Sequence, residues 1–491
     1  MKTQEAIIIG SGFSGLSAAA FLAKEGVKVT VIEKNQELGG RARILKEKGY
    51  SFDMGPSWYW MPEIFENFFK DFKQETKNFY TLTKLNPGFR MIFKNDQIDV
   101  HSDFEQTCKI FEKYEKGGGN KLKDFIEDAK LKYNIGMNFI YNSPGVSVLE
   151  LFSKEILLNI TNFELLTSYR KHIRKYFNHP YLITLLEFPV LFLGASAEKI
   201  PALYSLMAYS GIKEGTFYPQ GGFHEVINAL IKLCKNLGVK FITDEAVTKI
   251  NIENKKAISI KTISGEIIPA DFIVGSADYA HIEEKLISPE YRNYSKAYWK
   301  KKKFSPSSLI FYLGINKKIK HLIHHNLFFD EDIAMFTKEI YESKTWPKKP
   351  LFYICCPSKT DTNVAPIGKE NLFILMPIPI GVKDTEELRE KYFNLIIKRL
   401  EKYCNQEITT NIDYKRSYCI KDFKSDYNSY EGNAYGLANT LFQTANLKPK
   451  IINKKIRNLF YTGQLTVPGP GVPPSLISGK IVAEHIIQSI K

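Results

Sequence analysis

Three glycines and one carboxylate near the N-terminus have the spacing of a nucleotide-binding site. The sequence reads Gly10-x-Gly12-x-x-Gly15, and Glu33 follows in the next segment. The first two glycines allow a tight turn and a close approach of the backbone to a pyrophosphate, and the third lets a helix pack closely on a sheet. Glu33 is placed to accept hydrogen bonds from ribose hydroxyls. The pattern therefore predicts a dinucleotide site.

A strand, a helix and a second strand are needed to position these residues. An apolar run from Ala6 leads into the first glycine, apolar residues recur at helical spacing from Ser14 to Glu25, and Val27 to Ile32 is a β-branched run. This order makes a complete βαβ unit, with the helix N-terminus facing the phosphates. A lone glycine motif is weak evidence, but these flanking elements make a purely structural turn a poor explanation.

Gly39-Gly40-Arg41 decides which dinucleotide is expected. A guanidinium beside two glycines suits a pyrophosphate that is already held by a helix end. The triplet resembles the GG doublet of FAD proteins in the amine oxidase and carotenoid desaturase superfamily, which favours FAD over NAD. No Cys accompanies Gly463-Gln464 near the end of the chain, so we expect non-covalent FAD. No second G-x-G-x-x-G follows a strand, and we expect no NAD(P)H site.

The composition indicates a folded protein with two or three subdomains. Of its 491 residues 44% are hydrophobic and 25% charged, and the net charge is +15. The lysines form short clusters, which suit a solvated surface or an anionic membrane surface. Six cysteines without metal-like spacing predict no metal site. We expect no signal peptide, and prolines exclude a membrane-spanning helix in the uncharged stretch from Asn458 to Gly479.

Several stretches predict contact with apolar material or exposed loops. Trp58-Tyr59-Trp60 could line an apolar tunnel or pack in a core. Val146 to Ser210 is rich in Leu, Phe and Ile around four basic residues, which predicts a helical insertion, either a membrane-facing lid or an ordinary cap. Gly117 to Gly119 predicts a flexible connection between two helices. Lys300 to Lys303 predicts an exposed loop or, alternatively, a membrane-surface anchor.

Runs of β-forming residues predict two sheets. Strands within 246–251, 266–270 and 271–278 are expected to rejoin the nucleotide domain. Strands within 308–314, 351–356 and 371–377 are expected to form a second sheet, with a helix over 385–403. The chain is expected to close with a strand from Asn458, a rigid proline loop and a helix from Ser475 to Ile490.

The motifs GSGFSG, GGRAR, FDMGPS, YPQGG and TGQLTVPGPGVPPSLISGK resemble the bacterial-type phytoene desaturases, the FAD-dependent carotenoid desaturases, from end to end of the chain. KPLFYICCPSKTD and DYNSYEGNAYGLANTL resemble those of the Bacteroidetes branch in particular. One departure is visible, because Gln464 and Val467 stand where the family's closing signature usually has a small residue and a His.

The resemblance implies an α/β fold with an interrupted Rossmann-type FAD-binding domain, a mixed-sheet substrate domain and a helical, partly membrane-facing insertion. We expect the FAD-binding domain in 1–80, 216–290 and 431–491, a helical membrane-associating domain in 81–215, and the second sheet in 291–430. The implied substrate is phytoene, an apolar C40 carotenoid, oxidised to neurosporene or lycopene. The implied protein is cytoplasmic and peripheral to the inner face of the cell membrane, uses oxygen or a quinone as electron acceptor, and binds no nucleic acid.

A hydrocarbon has no acidic proton and no leaving group, so the flavin itself is expected to take a hydride from the substrate. Asp422 and Glu431 are weak candidates for accepting the remaining proton. The residues expected to contact FAD are Gly10, Ser11, Gly12, Ser14, Gly15, Glu33, Lys34, Gly39, Gly40, Arg41, Gly55, Pro56, Ser57, Val247, Gly463, Gln464, Val472 and Pro473.

Other functions stay open at the level of the sequence. A hydroxycarotenoid 3,4-desaturase would differ only at the end of the tunnel. A carotenoid isomerase or saturase would share every FAD motif but need reduced flavin. An amine oxidase would require an aromatic cage for a neutral amine. A non-catalytic flavin- or carotenoid-binding protein would show no bleaching of the flavin with substrate.

Overall fold

The structure is a computed structural model that describes residues 3–142, 164, 167–191 and 193–491, with the backbone alone for 139–142. The first part of the predicted helical insertion, from Val146 to Asn162, lies outside the described residues. Within the described ranges, no helix combines the length and apolar character that crossing a membrane requires.

The strands, in chain order, are β1 (Glu5–Ile9), β2 (Lys28–Ile32), β3 (Ile44–Glu47), β4 (Tyr50–Asp53), β5 (Leu82–Lys84), β6 (Phe89–Ile92), β7 (Gln97–Val100), β8 (Phe217–Pro219), β9 (Lys240–Ile242), β10 (Val247–Glu253), β11 (Lys256–Thr262), β12 (Ile267–Pro269), β13 (Phe272–Gly275), β14 (Ser307–Ile315), β15 (His325–Phe328), β16 (Phe352–Cys355), β17 (Glu370–Ile378), β18 (Ile412–Tyr418) and β19 (Leu459–Tyr461). The α-helices of five or more described residues are α1 (Phe13–Lys24), α2 (Pro62–Lys70), α3 (Phe104–Tyr114), α4 (Gly118–Asn142), α5 (Tyr169–Ile173), α6 (Pro180–Leu191), α7 (His224–Asn236), α8 (Lys296–Lys301), α9 (Ile333–Lys338), α10 (Glu386–Cys404), α11 (Ile420–Tyr427) and α12 (Val472–Ile490).

The first sheet is parallel, with the strand order β19-β13-β1-β2-β9. Its strands carry near-continuous apolar runs, as buried parallel strands do, and both faces are covered. Helices α1, α7 and α12 lie on one face, where Leu16, Leu230 and Val482 belong to the same buried cluster as Val31. Because the strands are parallel, their carboxyl ends meet at one edge, and α1 and α12 begin at that edge.

The other face of the first sheet is covered by a small antiparallel sheet of β10, β11 and β12. Of the three segments that the sequence predicts as strands rejoining the nucleotide domain, only β13 pairs in the parallel sheet, and those within 246–251 and 266–270 belong to the small sheet that covers it. The physical reason is that β10 and β12 have exposed residues on one face, which suits a solvated antiparallel sheet and not a doubly covered parallel one.

The second sheet has seven strands in the order β18-β14-β17-β16-β15-β6-β7, and among these neighbours only β15 and β6 run parallel. Every residue of β14 is buried. Helix α10, over nearly the range that the sequence predicts, covers one face through Phe393 and Ile397. The opposite face, with Ile310 and Leu375, packs towards the helical region that contains α6.

Two expectations about loops hold only in part. Of the basic run 300–303, Lys300 and Lys301 end helix α8, while Lys302 and Lys303 follow it. The helix is anchored by Trp299, which is fully buried and packs edge-on against Tyr279 with ring centroids 5.5 Å apart. Gly118 begins helix α4 and does not form a flexible connection. A Cβ atom at this glycine would lie 2.4 Å from the carbonyl oxygen of Phe111, so the glycine allows the close approach of two helices.

The two large sheets follow the division that the resemblance implies. All strands of the parallel sheet lie in 1–80, 216–290 and 431–491, and all strands of the seven-stranded sheet lie in 81–215 and 291–430. We therefore propose these boundaries for a nucleotide domain and a second domain.

Candidate functional site

A cavity of about 750 Å³ lies between the two large sheets. One half is formed at the carboxyl edge of the parallel sheet, by the turn after β1 and the segments after β2, β13 and β19. The other half is formed by the second sheet, through Ile310 of β14, Tyr353 of β16 and Leu375 of β17, and by the helical region. The cavity therefore joins a glycine-rich half to a largely apolar half, which we call the apolar arm.

The turn between β1 and α1 leaves space for a ligand. Gly10 has a φ of +101°, and a Cβ atom there would lie 3.2 Å from the backbone nitrogen of Ala277. A Cβ atom at Gly12 would have no neighbouring atom within 4 Å. Helix α1 has no side-chain cap at Gly12. Its first N–H groups therefore face the cavity, and a helix start of this kind attracts anions.

Glu33 connects the glycine turn to the segment after β2. One carboxylate oxygen accepts hydrogen bonds from the backbone N–H and the hydroxyl of Ser11, at 3.0 and 2.7 Å. The other accepts from the backbone N–H and the side-chain amide of Asn35, both at 3.0 Å. Ser11 in turn accepts a hydrogen bond from the backbone N–H of Gly39. Glu33 thus holds both glycine elements at the wall of the cavity.

In the glycine-rich half, Arg41 is a buried cation with unpaired hydrogen-bond donors. Its Nε and Nη2 atoms are buried and have no hydrogen-bond partner among the described residues. The guanidinium lies over the ring of Tyr427, 4.9 Å from the centroid. Burial lowers its pKa, an effect that Tyr427 and Asp278 oppose. A buried cation with free donors facing a cavity is suited to an anionic ligand, which would restore the missing hydrogen bonds.

The closing loop brings a second helix N-terminus to the same half of the cavity. Gly463 has a φ of +110° and approaches Ser14, whose hydroxyl would lie 3.1 Å from a Cβ atom at this glycine. Helix α12 begins at Val472 without a side-chain cap. Pro473 and Pro474 follow in its first turn and have no N–H group to satisfy. The starts of α1 and α12 therefore both face the cavity.

Most of the residues predicted from the sequence to contact a cofactor come together here. Those that line the cavity are Gly10, Ser11, Gly12, Ser14, Glu33, Lys34, Gly39, Gly40, Arg41, Gly55, Pro56, Ser57, Val247, Gly463, Gln464, Val472 and Pro473. Gly15 is not in the lining. A Cβ atom there would lie 2.2 Å from the carbonyl oxygen of Gly10 and 2.9 Å from the hydroxyl of Ser276, so Gly15 serves the close packing of α1.

The two carboxylates suggested as proton acceptors do not line the cavity. Asp422 accepts hydrogen bonds from Arg389 and from the backbone N–H of Cys419, both at 2.8 Å, and so caps helix α11. Glu431 is exposed and lies 3.3 Å from Lys424. Since both side chains have partners outside the cavity, their assignment to the reaction stays a prediction that the lining does not support.

Sequence reasoning missed several lining residues. Ser276, Ala277 and Asp278 follow β13 directly, and burial raises the pKa of Asp278. Their position after a parallel strand was the available signal, because the carboxyl ends of such strands meet at one edge. Asp426 and Tyr427 arrive from helix α11, which follows the other sheet. No local sequence pattern could have predicted that residues of α11 reach the cavity.

For the aromatic triplet Trp58-Tyr59-Trp60, the sequence left open whether it lines a tunnel or packs in a core, and its members do both. Trp58 and Trp60 line the cavity, whereas Tyr59 is fully buried in the core beside Phe65, with ring centroids 4.2 Å apart. Trp58 stacks on His325 at 4.2 Å. The triplet therefore belongs partly to the cavity and partly to the core.

A short polar chain holds the wall beside this triplet. Nδ1 of His325 lies 2.6 Å from the hydroxyl of Tyr353, which lies 3.0 Å from the hydroxyl of Ser57. Burial, together with the neighbouring His324, lowers the pKa of His325. The chain fixes the orientation of Tyr353 and Ser57, both of which line the cavity.

Two groups of side chains have ligand atoms close enough to hold a metal ion, although the sequence predicted none. His324, His325 and Cys355 offer atoms within 4.8 Å of one another, and so do Asp128, Glu164 and His172. The second group already contains the ammonium of Lys132, 2.9 Å from Glu164. Neither group lies in the lining of the cavity.

The apolar arm contains almost no ionisable side chain. Its described lining includes Met61, Met137, Leu203, Leu206 and Met207. The carboxylates and cations of the lining all belong to the glycine-rich half, and they are Glu33, Lys34, Arg41, Glu245, Asp278 and Asp426. Polar groups in the arm are neutral, such as Tyr204, which lies 2.6 Å from the hydroxyl of Thr444. The arm suits a long apolar ligand.

Comparisons with known proteins agree with this geometry. A family model described as flavin containing amine oxidoreductase matches residues 13–487. A carotenoid 3,4-desaturase of Haloarcula japonica is 37% identical over 493 residues, with 100% of this chain and 99% of the relative covered. A zeta-carotene-forming phytoene desaturase of Myxococcus xanthus is 28% identical, with 98% and 93% covered. Putrescine oxidase bound to putrescine has the same fold, with a TM-score of 0.63 at 12% identity and 99% of both chains covered.

Proposed function

The chain belongs to the carotenoid desaturases of the flavin containing amine oxidoreductase family, and we propose that it introduces a double bond at the 3,4 position of a carotenoid. It is an oxidoreductase of CH–CH groups that uses FAD. The observation that carries the proposal is the cavity itself, which joins a dinucleotide-type half to an apolar arm whose described lining holds no carboxylate and no cation. The identity of 37% to a carotenoid 3,4-desaturase supports the position of the bond.

The residues of the glycine-rich half fit the cofactor. The open space at Gly12, the unpaired donors of Arg41 and the uncapped start of α1 are features that an anionic dinucleotide would satisfy. We assign Arg41 to the pyrophosphate and Glu33 to the ribose, and the other lining residues predicted from the sequence to the remaining contacts. When bound there, FAD supplies the hydride acceptor that this oxidation requires.

The residues of the apolar arm contribute placement and the exclusion of water. Met61, Met207 and Leu375 offer apolar surface over the length of the arm, which suits a polyene chain. Tyr353 and Ser57 are held by hydrogen bonds at the junction of the two halves. Since no carboxylate lines the arm in the described part of the chain, we propose that positioning by these side chains, and not acid–base catalysis, is their contribution.

We also propose that the protein docks on a membrane surface, where its apolar substrate resides. Phe442 is 79% exposed and Leu447 37%, in a segment whose neighbours Thr444, Ala445 and Asn446 line the cavity. The side chain of Gln443 is hydrogen-bonded to the backbone of Lys303 in both directions, at 3.0 and 2.8 Å. The exposed Lys303 therefore lies beside this segment, and the exposed lysines 300 and 301 precede Lys303 in the chain by two or three residues. We call this group of five residues the docking face. Apolar side chains beside lysines suit an anionic lipid surface.

The test uses the purified protein loaded with FAD. It is mixed anaerobically, without reductant, with a carotenoid that is saturated at its 3,4 position, while the flavin absorbance is followed and the product is separated by chromatography. We expect bleaching of the flavin and a product with one additional double bond. Opening the mixture to oxygen, or adding a quinone, should restore the flavin absorbance, because both acceptors are proposed to reoxidise it.

Desaturation of phytoene is the second candidate, since the phytoene desaturase of Myxococcus xanthus is 28% identical over nearly the whole chain. Bleaching by phytoene alone, with neurosporene or lycopene as product, would replace the first proposal with this one. Bound FAD that is bleached by neither carotenoid would contradict both.

A pair of methionine variants tests the assignment of the arm. Met207 lines the cavity, whereas Met335 is 50% exposed in α9. Met207→Trp should slow bleaching of the flavin because the larger ring fills the arm, and Met335→Trp should leave the rate unchanged. Equal rates in both variants would contradict the placement of the substrate.

A further inference from the structure

Two neighbouring histidines are buried, and each has one ring nitrogen without a partner. His324 is 3% exposed and His325 is fully buried. The Nε2 atom of each has no hydrogen-bond partner among the described residues. A buried polar atom that is left unpaired destabilises a fold, and here two of them lie in adjacent residues. The pair is therefore suited to a ligand that both nitrogens can bind.

The other nitrogen of each ring faces a hydroxyl group. Nδ1 of His324 lies 2.8 Å from the hydroxyl oxygen of Thr360, and Nδ1 of His325 lies 2.6 Å from that of Tyr353. A histidine that binds a metal ion commonly donates its second ring N–H to such an oxygen, which fixes the orientation of the ring. With Nδ1 as the donor, Nε2 carries the lone pair and is the ligand atom. The two contacts therefore suit a pair of metal-binding imidazoles.

The pairing of two strands adds a thiol to the two imidazoles. In the antiparallel pair of β15 and β16, His325 lies directly opposite Cys355. The backbone N–H of Cys356 donates a hydrogen bond to the carbonyl oxygen of His324, which holds that residue beside the same strand end. The ligand atoms of His324, His325 and Cys355 all lie within 4.8 Å of one another. Zinc binds imidazole nitrogen at about 2.0–2.1 Å and thiolate sulfur at about 2.3 Å, so atoms at such separations can share one ion.

The space and the charge at this place also suit an ion. A second cavity, of about 10 Å³, has His324, Cys355 and Asp53 in its lining. That volume is close to the space that one water-sized ligand requires. The carboxylate of Asp53 accepts hydrogen bonds from the backbone N–H groups of Phe223 and His224, at 2.8 and 3.1 Å, which hold it in place. A thiolate and a carboxylate together carry two negative charges, so a divalent cation here would not be an uncompensated buried charge.

We propose that His324, His325 and Cys355 bind one zinc ion. Two imidazoles and a thiolate are donors that favour zinc over magnesium or calcium. The thiol of Cys355 loses its proton to solvent as the zinc–sulfur bond forms. The ion has a structural role, because none of its three ligands lines the large cavity. Since Tyr353 bridges His325 and Ser57, and Ser57 lines both cavities, the ion would hold the wall between them.

The first test measures the metal content of the FAD-loaded protein. The chain is expressed in zinc-supplemented medium, separated from loosely bound metal with a mild chelator, and analysed by elemental mass spectrometry. We expect about one zinc per chain in the parent protein, and loss of most of it in Cys355→Ser and in His324→Gln. Cys234→Ser is the matched control and should keep the ion, because Cys234 is also buried but its thiol contacts the carbonyl oxygen of Leu16, at 3.4 Å.

Three results of this test would overturn the proposal. A parent protein without stoichiometric metal would leave the small cavity to an ordered water molecule. Copper or another metal at the same stoichiometry would exclude zinc as the ion. Zinc that Cys355→Ser and His324→Gln both retain would place the ion elsewhere, and its loss in His172→Gln would assign it to the other group of close ligand atoms.

A second measurement compares each protein with itself. Thermal unfolding of the metal-free, FAD-loaded protein is followed with and without added zinc. At a free zinc concentration about 100-fold above the dissociation constant, the midpoint of the parent should rise by about 2–3 °C, because the ion binds the folded chain. Cys234→Ser should show the same rise and Cys355→Ser none, even if either variant is less stable than the parent. No rise in the parent, or an equal rise in Cys355→Ser, would overturn the proposal.

Discussion

Arg41 and Arg43 share one aromatic neighbour but differ in their partners. Both guanidinium groups lie over the ring of Tyr427, at 4.9 and 5.3 Å. Arg43 forms an ion pair with Asp426, whereas Nε and Nη2 of Arg41 have no partner among the described residues. Arg41 lines the cavity and Arg43 does not. The contrast assigns different roles to the two arginines. Arg41 has donors available for a ligand in the cavity, whereas Arg43 connects the segment after β2 to helix α11 through Asp426.

Replacement of Arg41 by Met should have opposite effects on the empty and the loaded protein. The dissociation constant for FAD should rise about 10- to 100-fold, because hydrogen bonds to a charged group contribute about 1.5–3 kcal/mol. The unfolding midpoint of the FAD-free protein should rise, because the variant removes a buried unpaired charge. Fluorescence titration with FAD and thermal unfolding measure the two effects.

Arg43→Met is the matched control for this prediction. It leaves Asp426 without its ion-pair partner, so the midpoint of the FAD-free protein should fall while the affinity for FAD stays close to that of the parent. An Arg41→Met protein that binds FAD as tightly as the parent would show that the guanidinium does not bind the pyrophosphate.

Helices α1 and α12 cross closely because the residues between them are small. A Cβ atom at Gly479 of α12 would lie 2.3 Å from the carbonyl oxygen of Ser14 and 2.6 Å from Cβ of Ser17. Ser17 also donates a hydrogen bond to the carbonyl oxygen of Leu476, at 2.7 Å. Since both helices begin at the cavity, their crossing sets the distance between the two helix starts that face the cofactor.

Gly479→Ala should therefore lower both stability and affinity for FAD. The added methyl group meets backbone atoms that cannot rotate away, and overpacking of this kind costs about 1–3 kcal/mol. Gly136→Ala in α4 is the matched control, because the nearest atom to its Cβ position is Cδ2 of Leu206 at an ordinary 3.6 Å. That variant should be stabilised by about 0.5–1 kcal/mol through the helix propensity of Ala. The free energies of unfolding of the two FAD-free variants are measured with a denaturant. A change in the same direction in both variants would contradict the argument.

At the scale of the whole molecule, the cavity and the docking face share one segment. Residues 439–447 contribute Asn439, Thr444 and Ala445 to the lining and Phe442 and Leu447 to the exterior. A substrate that leaves a membrane through this face would meet the apolar arm without crossing water. The two domains are both needed for this arrangement, since the lining alternates between them.

The double variant Phe442→Ser with Leu447→Ser should bind membranes more weakly. Each apolar side chain contributes up to about 1.5–3 kcal/mol when it is fully buried, so partition onto anionic phospholipid vesicles should fall about tenfold or more. Co-sedimentation with the vesicles measures it, and added salt should weaken binding further through the lysines. Ile367→Ser is the control, because Ile367 is fully exposed in a turn that does not line the cavity. Equal loss in both proteins would contradict the assignment of the face.

The sequence by itself determined the βαβ unit, the glycine positions and the closing loop. These features are local, because a tight turn, a helix start and a buried strand each impose a residue type at a short spacing. The resemblance of the same motifs to known carotenoid desaturases also predicted the cofactor and the family. Gly15 serves the close packing of α1, as its place in the motif predicts, but it does not line the cavity as the residues predicted to contact FAD do.

The tertiary structure alone decided which distant side chains meet. Trp58 and Tyr59 are neighbours in the chain but point into a cavity and a core, because each packs against a different domain. Asp422 is hydrogen-bonded to Arg389, whereas Nε and Nη2 of Arg41 have no hydrogen-bond partner among the described residues. Whether a buried polar group has a hydrogen-bond partner depends on which distant elements pack against it. The spacing of residues within one segment does not determine that packing.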